Sequence, residues 1–213
     1  MRREELIDTL SADLKPVGPY AVERRVMAGL AVGMAAGLAL LVVWLGLRPD
    51  LVEAVRTGMF WIKLAYTLAI GVTAMILACG LARPDCPARA SLIVALAPLG
   101  VVAIWAAAEI VQAPGADRLR LWLGSSWMVC PLRIMVISAP AFFGALWAFR
   151  RFAPTRLRLA GFAAGLAAGG AGASVYALAC QESTVAFLAT WYTLGVLAVA
   201  GLGALVGPRV LRW

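Results

Sequence analysis

The chain has 213 residues, 63% of them hydrophobic and 14% charged, with a mean hydropathy of +0.89. That balance excludes an ordinary water-soluble domain, and the apolar residues gather into runs longer than the length that marks a membrane-spanning candidate. The net charge of +8 invites a nucleic-acid reading, but the excess sits in loops and at helix ends, where it orients a membrane protein, so no direct nucleic-acid contact is expected.

Residues 1–25 are the one sizeable stretch suited to water. Arg2, Arg3, Lys15, Arg24 and Arg25 are balanced there by Glu4, Glu5, Asp8, Asp13 and Glu23. From Glu4 to Val17 the apolar residues are Leu6, Ile7, Leu10, Leu14 and Val17, which fall on one stripe of a helix, with Asp8, Ser11 and Lys15 opposite. Pro16 and Pro19 limit that helix. A helix this short is barely stable alone in water, so its apolar stripe needs a partner. Helices that lie on membranes are usually rich in Lys and Arg on the polar face, and this one is mixed and slightly acidic. Docking in a protein groove therefore fits at least as well, beside the plainer reading of a tail packed on its own bundle.

Six spans follow, at about 26–47, 58–79, 90–111, 128–149, 159–180 and 184–206. Each approaches the roughly twenty residues that cross a hydrocarbon core of about 30 Å. No short apolar region with a cleavage site precedes the first, which reads as a retained anchor. The expected fold class is an all-α membrane protein: a cytoplasmic segment (1–25) and a six-helix transmembrane domain (26–213). Thirteen Lys and Arg residues fall in the two tails and in loops 81–89 and 150–158, against six on the other side. Both termini are thereby assigned to the cytoplasm. Gly29, Gly33 and Gly37 in the first span, and Gly161, Gly165 and Gly169 in the fifth, line one helix face with small residues, a packing surface. Pro98 and Pro140 are expected to bend the third and fourth spans.

Four cysteines remain. Cys79 and Cys86 fall on the cytoplasmic side, where thiols stay reduced, and read as structural. Cys130 lies twenty residues before Arg150 and Cys180 twenty-two after Arg158, on two antiparallel spans joined by a short loop. At about 1.5 Å per residue both stand roughly 30 Å from that loop, at one depth near the outer face. Two readings fit that spacing: a redox- or metal-responsive pair, or two buried cysteines acting as small hydrophobes. Lys63, Glu109, Arg133, Gln181 and Glu182 fall near the same end. Charged groups there ordinarily snorkel to the interface, the preferred reading; alternatively Arg133 or Lys63 favours thiolate at a neighbouring cysteine. Histidine is absent, as are Walker, HExxH, CxxC and GxSxG motifs, and no acidic residue sits at a span centre. No enzyme activity, cofactor, resident metal or small-molecule substrate is expected.

Several short stretches, taken in order, resemble a known family. They are "LIDTLSADLKPV" (Leu6–Val17), "GLRPDL" (Gly46–Leu51), "GSSWMVCPL" (Gly124–Leu132), the cysteine after span five, "FLATW" (Phe187–Trp191) and the terminal "RVLRW". Arranged around six spans, they resemble the NrsF-type negative regulators of extracytoplasmic-function sigma factors, which are membrane anti-sigma factors of the bacterial inner membrane. The resemblance implies that the tail sequesters a sigma factor through Leu6, Ile7, Leu10, Asp13, Leu14, Pro16 and Val17. It implies too that Cys130 and Cys180 sense heavy-metal or oxidative stress. Relatives commonly carry histidine beside the second cysteine and after the tryptophan of span six; here those places hold Ala179 and Tyr192. Thiol chemistry or soft-metal capture by two cysteines therefore fits better than a histidine-assisted site. The rival reading, from another class, is a small membrane transporter or membrane thiol-redox protein working at the outer polar mouth.

Overall fold

Backbone N–H and C=O groups in apolar surroundings have to satisfy one another within a segment, so long apolar runs wind into helices. A computed structural model describes residues 20–81, 88–151 and 154–212, and among them no strand occurs. The helices are α1 (Ala21–Trp44), the single turn α2 (Leu51–Ala54), α3 (Gly58–Leu81), α4 (Ala88–Gln112), α5 (Gly115–Leu123), α6 (Cys130–Phe149), α7 (Leu157–Tyr176) and α8 (Val185–Val210). Among the described residues six are long and apolar enough to cross a membrane, namely α1, α3, α4, α6, α7 and α8. They match the six expected spans in order, with small shifts at the ends.

Two of those differences matter. α1 begins about a turn earlier than expected, at Ala21. α7 stops at Tyr176, so Cys180 lies beyond the helix in the segment that leads to Val185. A further helix, α5, occupies what reads in sequence as a plain loop, and none of its residues is buried. Arg118 from α5 turns back to the carbonyls of Val111 and Ala113, at 3.2 and 3.0 Å, and so satisfies the open end of α4. Trp191 donates to the Trp122 carbonyl at 2.9 Å, and its ring packs against Trp122 and Trp127, tying α5 and the turn before α6 to α8.

α7 is the axis of the bundle. It packs chiefly on α8 and then on α3 and α6, while α1 leans on α6 and α4 stands outside against α3 and the start of α8. The two glycine stripes make the tightest of these seams. Gly161, Gly165 and Gly169 face Gly203, Val199 and Val196 of α8; Gly29, Gly33 and Gly37 face Gly144, Ala141 and Ile137 of α6. Any side chain at these positions would collide with the opposing backbone, so the packing expected of small residues is what the fold uses. Inside the bundle the Ser174 hydroxyl lies within hydrogen-bond distance of the Thr67 hydroxyl and the Gly170 carbonyl, both at 2.9 Å, and joins α7 to α3. Pro98 and Pro140 both lie inside their helices.

Candidate functional site

The end of the bundle that carries Cys130 and Cys180 is assembled by the segment after α7. The amides of Ala179 and Cys180 bond back to the Tyr176 carbonyl, at 3.0 and 3.1 Å, which winds the chain once more past the helix. It then runs out to Thr184, whose hydroxyl caps α8 by accepting from the Phe187 amide at 3.3 Å. Between them, one oxygen of Glu182 accepts from the amides and hydroxyls of both Ser125 and Ser126, at 2.6 to 3.0 Å. Burial disfavours the Glu182 carboxylate, but these four donors outweigh it and hold its pKa below the ordinary 4.5. The carboxylate rests on Gly124, which has φ +56° and no room for a side chain. Ser126 in turn accepts from the Cys130 amide at 2.9 Å as α6 begins. Glu182 thus draws the Cys180 segment onto the turn that precedes Cys130.

The result is a thiol pair. Cys130 and Cys180 are both buried, are not joined by a disulfide, and lie beside each other. Cations crowd the pair from two other elements. Lys63 of α3 donates to the carbonyls of Cys180, at 3.3 Å, and of Glu182, and lies 5.4 Å from the centre of the Tyr192 ring. Arg48, between α1 and α2, donates to the Cys180 carbonyl at 3.1 Å and through its own amide to the Leu178 carbonyl at 3.1 Å. It is held in place by a two-pronged salt bridge to Asp50, at 2.6 and 2.8 Å. That bond raises the Arg48 pKa and lowers that of Asp50.

Two tyrosines close the pocket. Tyr176 and Tyr192 are fully buried with ring centres 5.7 Å apart, and Arg133 stands near the Tyr176 hydroxyl. The Tyr192 hydroxyl reaches toward the Cys180 sulfur without full hydrogen-bond geometry. Leu188–Tyr192 is wound as a π-helix, a rare form that often marks functional sites, and it ends on the tyrosine against Cys180. The neighbouring Cys130 thiol lowers the Cys180 pKa against the opposing effect of burial, with the Lys63 charge in support. Such a pair can present a nucleophilic sulfur beside a second thiol.

Of the residues singled out from sequence, Cys130, Cys180, Lys63 and Glu182 come together here. Lys63 does not snorkel as preferred: it is 3% exposed and points inward to two carbonyls. Glu109 stands apart, accepting from the Ala186 amide at 2.7 Å at the start of α8, and Gln181 is exposed. Cys79 is buried in α3, and Cys86 lies outside the described residues. Leu6, Ile7, Leu10, Asp13, Leu14, Pro16 and Val17 also lie outside them. Sequence reasoning missed Arg48, Tyr176 and Tyr192 as members of the site. An arginine spaced one residue from an aspartate just after a span was the available signal for the first; Tyr192 stood out only as a departure from the family pattern. Among the described residues no group of three or more Cys, Asp or Glu side chains converges to hold a metal ion.

No solved structure matches the chain. The family model described as "Negative regulator of sigma F" matches residues 10–213. The chain is 40% identical over 214 residues to the anti-sigma-F factor NrsF of Caulobacter vibrioides (strain NA1000 / CB15N), with both chains covered completely. It is 36% identical over 215 residues, again with complete coverage of both, to the probable anti-sigma-F factor NrsF of Azospira oryzae (strain ATCC BAA-33 / DSM 13638 / PS). A match this long, carried through the cysteine segments and the closing helix alike, means that the chain belongs to the NrsF family, the negative regulators of sigma F.

Proposed function

We propose that this protein is an inner-membrane anti-sigma factor whose cytoplasmic segment 1–25 sequesters a sigma factor of the extracytoplasmic-function class. The stripe formed by Leu6, Ile7, Leu10, Leu14 and Val17, with Asp13 and Pro16, grips the sigma factor and keeps it from RNA polymerase. Metal or oxidative stress acting at Cys130 and Cys180 releases it. The observation that carries this reading is the buried pair of neighbouring free thiols at the junction of α6, α7 and α8.

A release switch needs an interaction that differs between two states. Modification of a thiol in a close-packed pocket supplies one, because added atoms or a new bond displace the start of α6. α6 carries α1 along the Gly29–Gly33–Gly37 seam, and α1 leads directly into the tail. Arg48 gives a second connection, from the Cys180 carbonyl to the end of α1. Both connections run toward the segment that does the binding.

The test reads transcripts of the sigma factor's targets in cells carrying single variants. Leu10→Asp raises them without stress, and Cys130→Ser or Cys180→Ser abolishes induction with repression intact. Unchanged transcripts with Leu10→Asp, in protein still found in the membrane, count against the tail. Normal induction in both cysteine variants removes the sensing role.

A further inference from the structure

Lys63 carries its ammonium into the bundle with no carboxylate partner among the described residues. A lysine near a helix end ordinarily stretches its ammonium to water. Here the side chain turns inward at 3% exposure and spends its donors on two backbone carbonyls, those of Cys180 and Glu182. Among the described residues no carboxylate lies within ion-pair distance of it. Asp50 is engaged by Arg48, and the Glu182 carboxylate by Ser125 and Ser126. Carbonyl dipoles and the Tyr192 face spread a positive charge but do not cancel it, and a desolvated cation is costly without an anion.

The anion is at hand in the pair. Lys63 is fastened to the Cys180 residue itself, donating to its carbonyl at 3.3 Å. Cys130, buried beside Cys180 at the start of α6, is the thiol placed to donate to the Cys180 sulfur. We propose that Lys63 is the buried counter-ion of a Cys180 thiolate, with Cys130 the thiol that donates to it, so that Cys180 is the member of the pair that soft electrophiles attack. This rests on the sensing reading above and names its reactive atom.

A consequence follows for the fold. With iodoacetamide as the electrophile, the Cys180 sulfur lone pair forms an S–C bond, the C–I bond breaks, and iodide leaves with its electron pair. The anionic sulfur becomes a neutral thioether, and Lys63 is left uncompensated against the very segment it anchors. α3, α7 and α8 converge at that point, so one modified sulfur loosens three helices together. A cavity of about 610 Å³, lined by Asp117, Arg120, Ser125, Glu182, Ser183 and Thr184, ends on Glu182, two residues from Cys180.

The experiment labels the full-length protein in its membranes with iodoacetamide and follows each cysteine by mass spectrometry. In the wild type, Cys180 is labelled before Cys130. Lys63→Met slows Cys180 by about tenfold at mildly acidic pH, the change that one pKa unit makes in an ionisation equilibrium, and Lys63→Arg restores most of the rate. Earlier labelling of Cys130 in the wild type, or equal Cys180 rates with and without Lys63, overturns the assignment. Where Lys63→Met fails to reach the membrane, Cys130→Ala and Cys180→Ala replace it, with Lys63 retained. Cys180 in the first then reacts faster than Cys130 in the second, and the reverse order overturns the assignment. The readout is independent of transcription: a labelling result against Lys63 leaves the sensing role standing. Normal induction in the Cys180→Ser strain removes that role whatever the labelling shows.

Discussion

α7 and α4 are both long enough to cross a bilayer, yet the less hydropathic of the two is the one the protein buries. Nearly every residue of α7 from Ala160 to Tyr176 is enclosed, whereas in α4 the buried residues are Ala95, Val102 and Ala106, on a single stripe. In water the more apolar helix would take the centre. Among lipid tails an apolar side chain gains little by leaving them, so the centre goes to the helix whose small residues let backbones approach. α7, built of Gly and Ala, is that helix. α4 turns Ile93, Val94, Val101, Ile104, Trp105 and Val111 outward, with Ile104 at 74% exposure.

That contrast can be broken most forcefully in the middle of α7. At Gly165 an added Cβ would stand 2.5 Å from the Val199 carbonyl and 2.8 Å from the Ala200 Cα, both backbone atoms that cannot step aside. Gly165→Leu is expected to cost about 3 kcal/mol or more, read as a lowered thermal midpoint in detergent and less protein in the membrane. A midpoint within a degree or two of wild type would mean that α7 does not set the packing.

An intermediate effect is expected where polar bonds, not close backbones, hold the elements. Glu182→Gln keeps the shape but weakens four bonds to Ser125 and Ser126, at a cost of about 1 kcal/mol after allowance for its partial exposure. The pH dependence gives the sign. Because the folded-state pKa of Glu182 lies below the ordinary 4.5, its stabilisation is complete above that value and is lost as pH falls through the folded one. The wild type therefore loses stability on acidification in a way the Gln variant does not, and parallel pH profiles would refute this. The smallest effect belongs to α4: Ile104→Ala is expected to stay within about 0.5 kcal/mol of wild type in the same thermal assay. A large loss there would show that a partner covers the outer face of α4.

The cysteine end divides differently between what could and could not be read. Cys130 and Cys180 were legible as residues of equal depth, because rise per residue and a short connecting loop fix depth. Their contact was not, since it depends on Glu182 fastening the segment after α7 to the turn before α6, a link between stretches far apart in the chain. Lys63 was misjudged for a related reason. Position near a helix end says that an ammonium can reach water, but the carbonyls of Cys180 and Glu182, which turn it inward, appear only when α3 and that segment meet. α5 escaped notice because Asp117, Arg118 and Arg120 interrupt so short a run of Leu and Trp that no apolar stripe stands out. The glycine stripes were read correctly as packing faces, though their partners on α6 and α8 had to be seen.

From the sequence alone came the number, order and approximate length of the six membrane-length helices, the small-residue faces, and the two cysteines at matching depth. These are local consequences of hydrocarbon thickness, helical rise and side-chain size, each acting within one segment. Only the tertiary structure decided that Cys130 and Cys180 touch, that Arg48 and Lys63 converge on the Cys180 segment, and that Tyr192 closes over its sulfur. Those outcomes depend on which faces of separate helices come close enough to exchange hydrogen bonds, and no segment carries that information by itself.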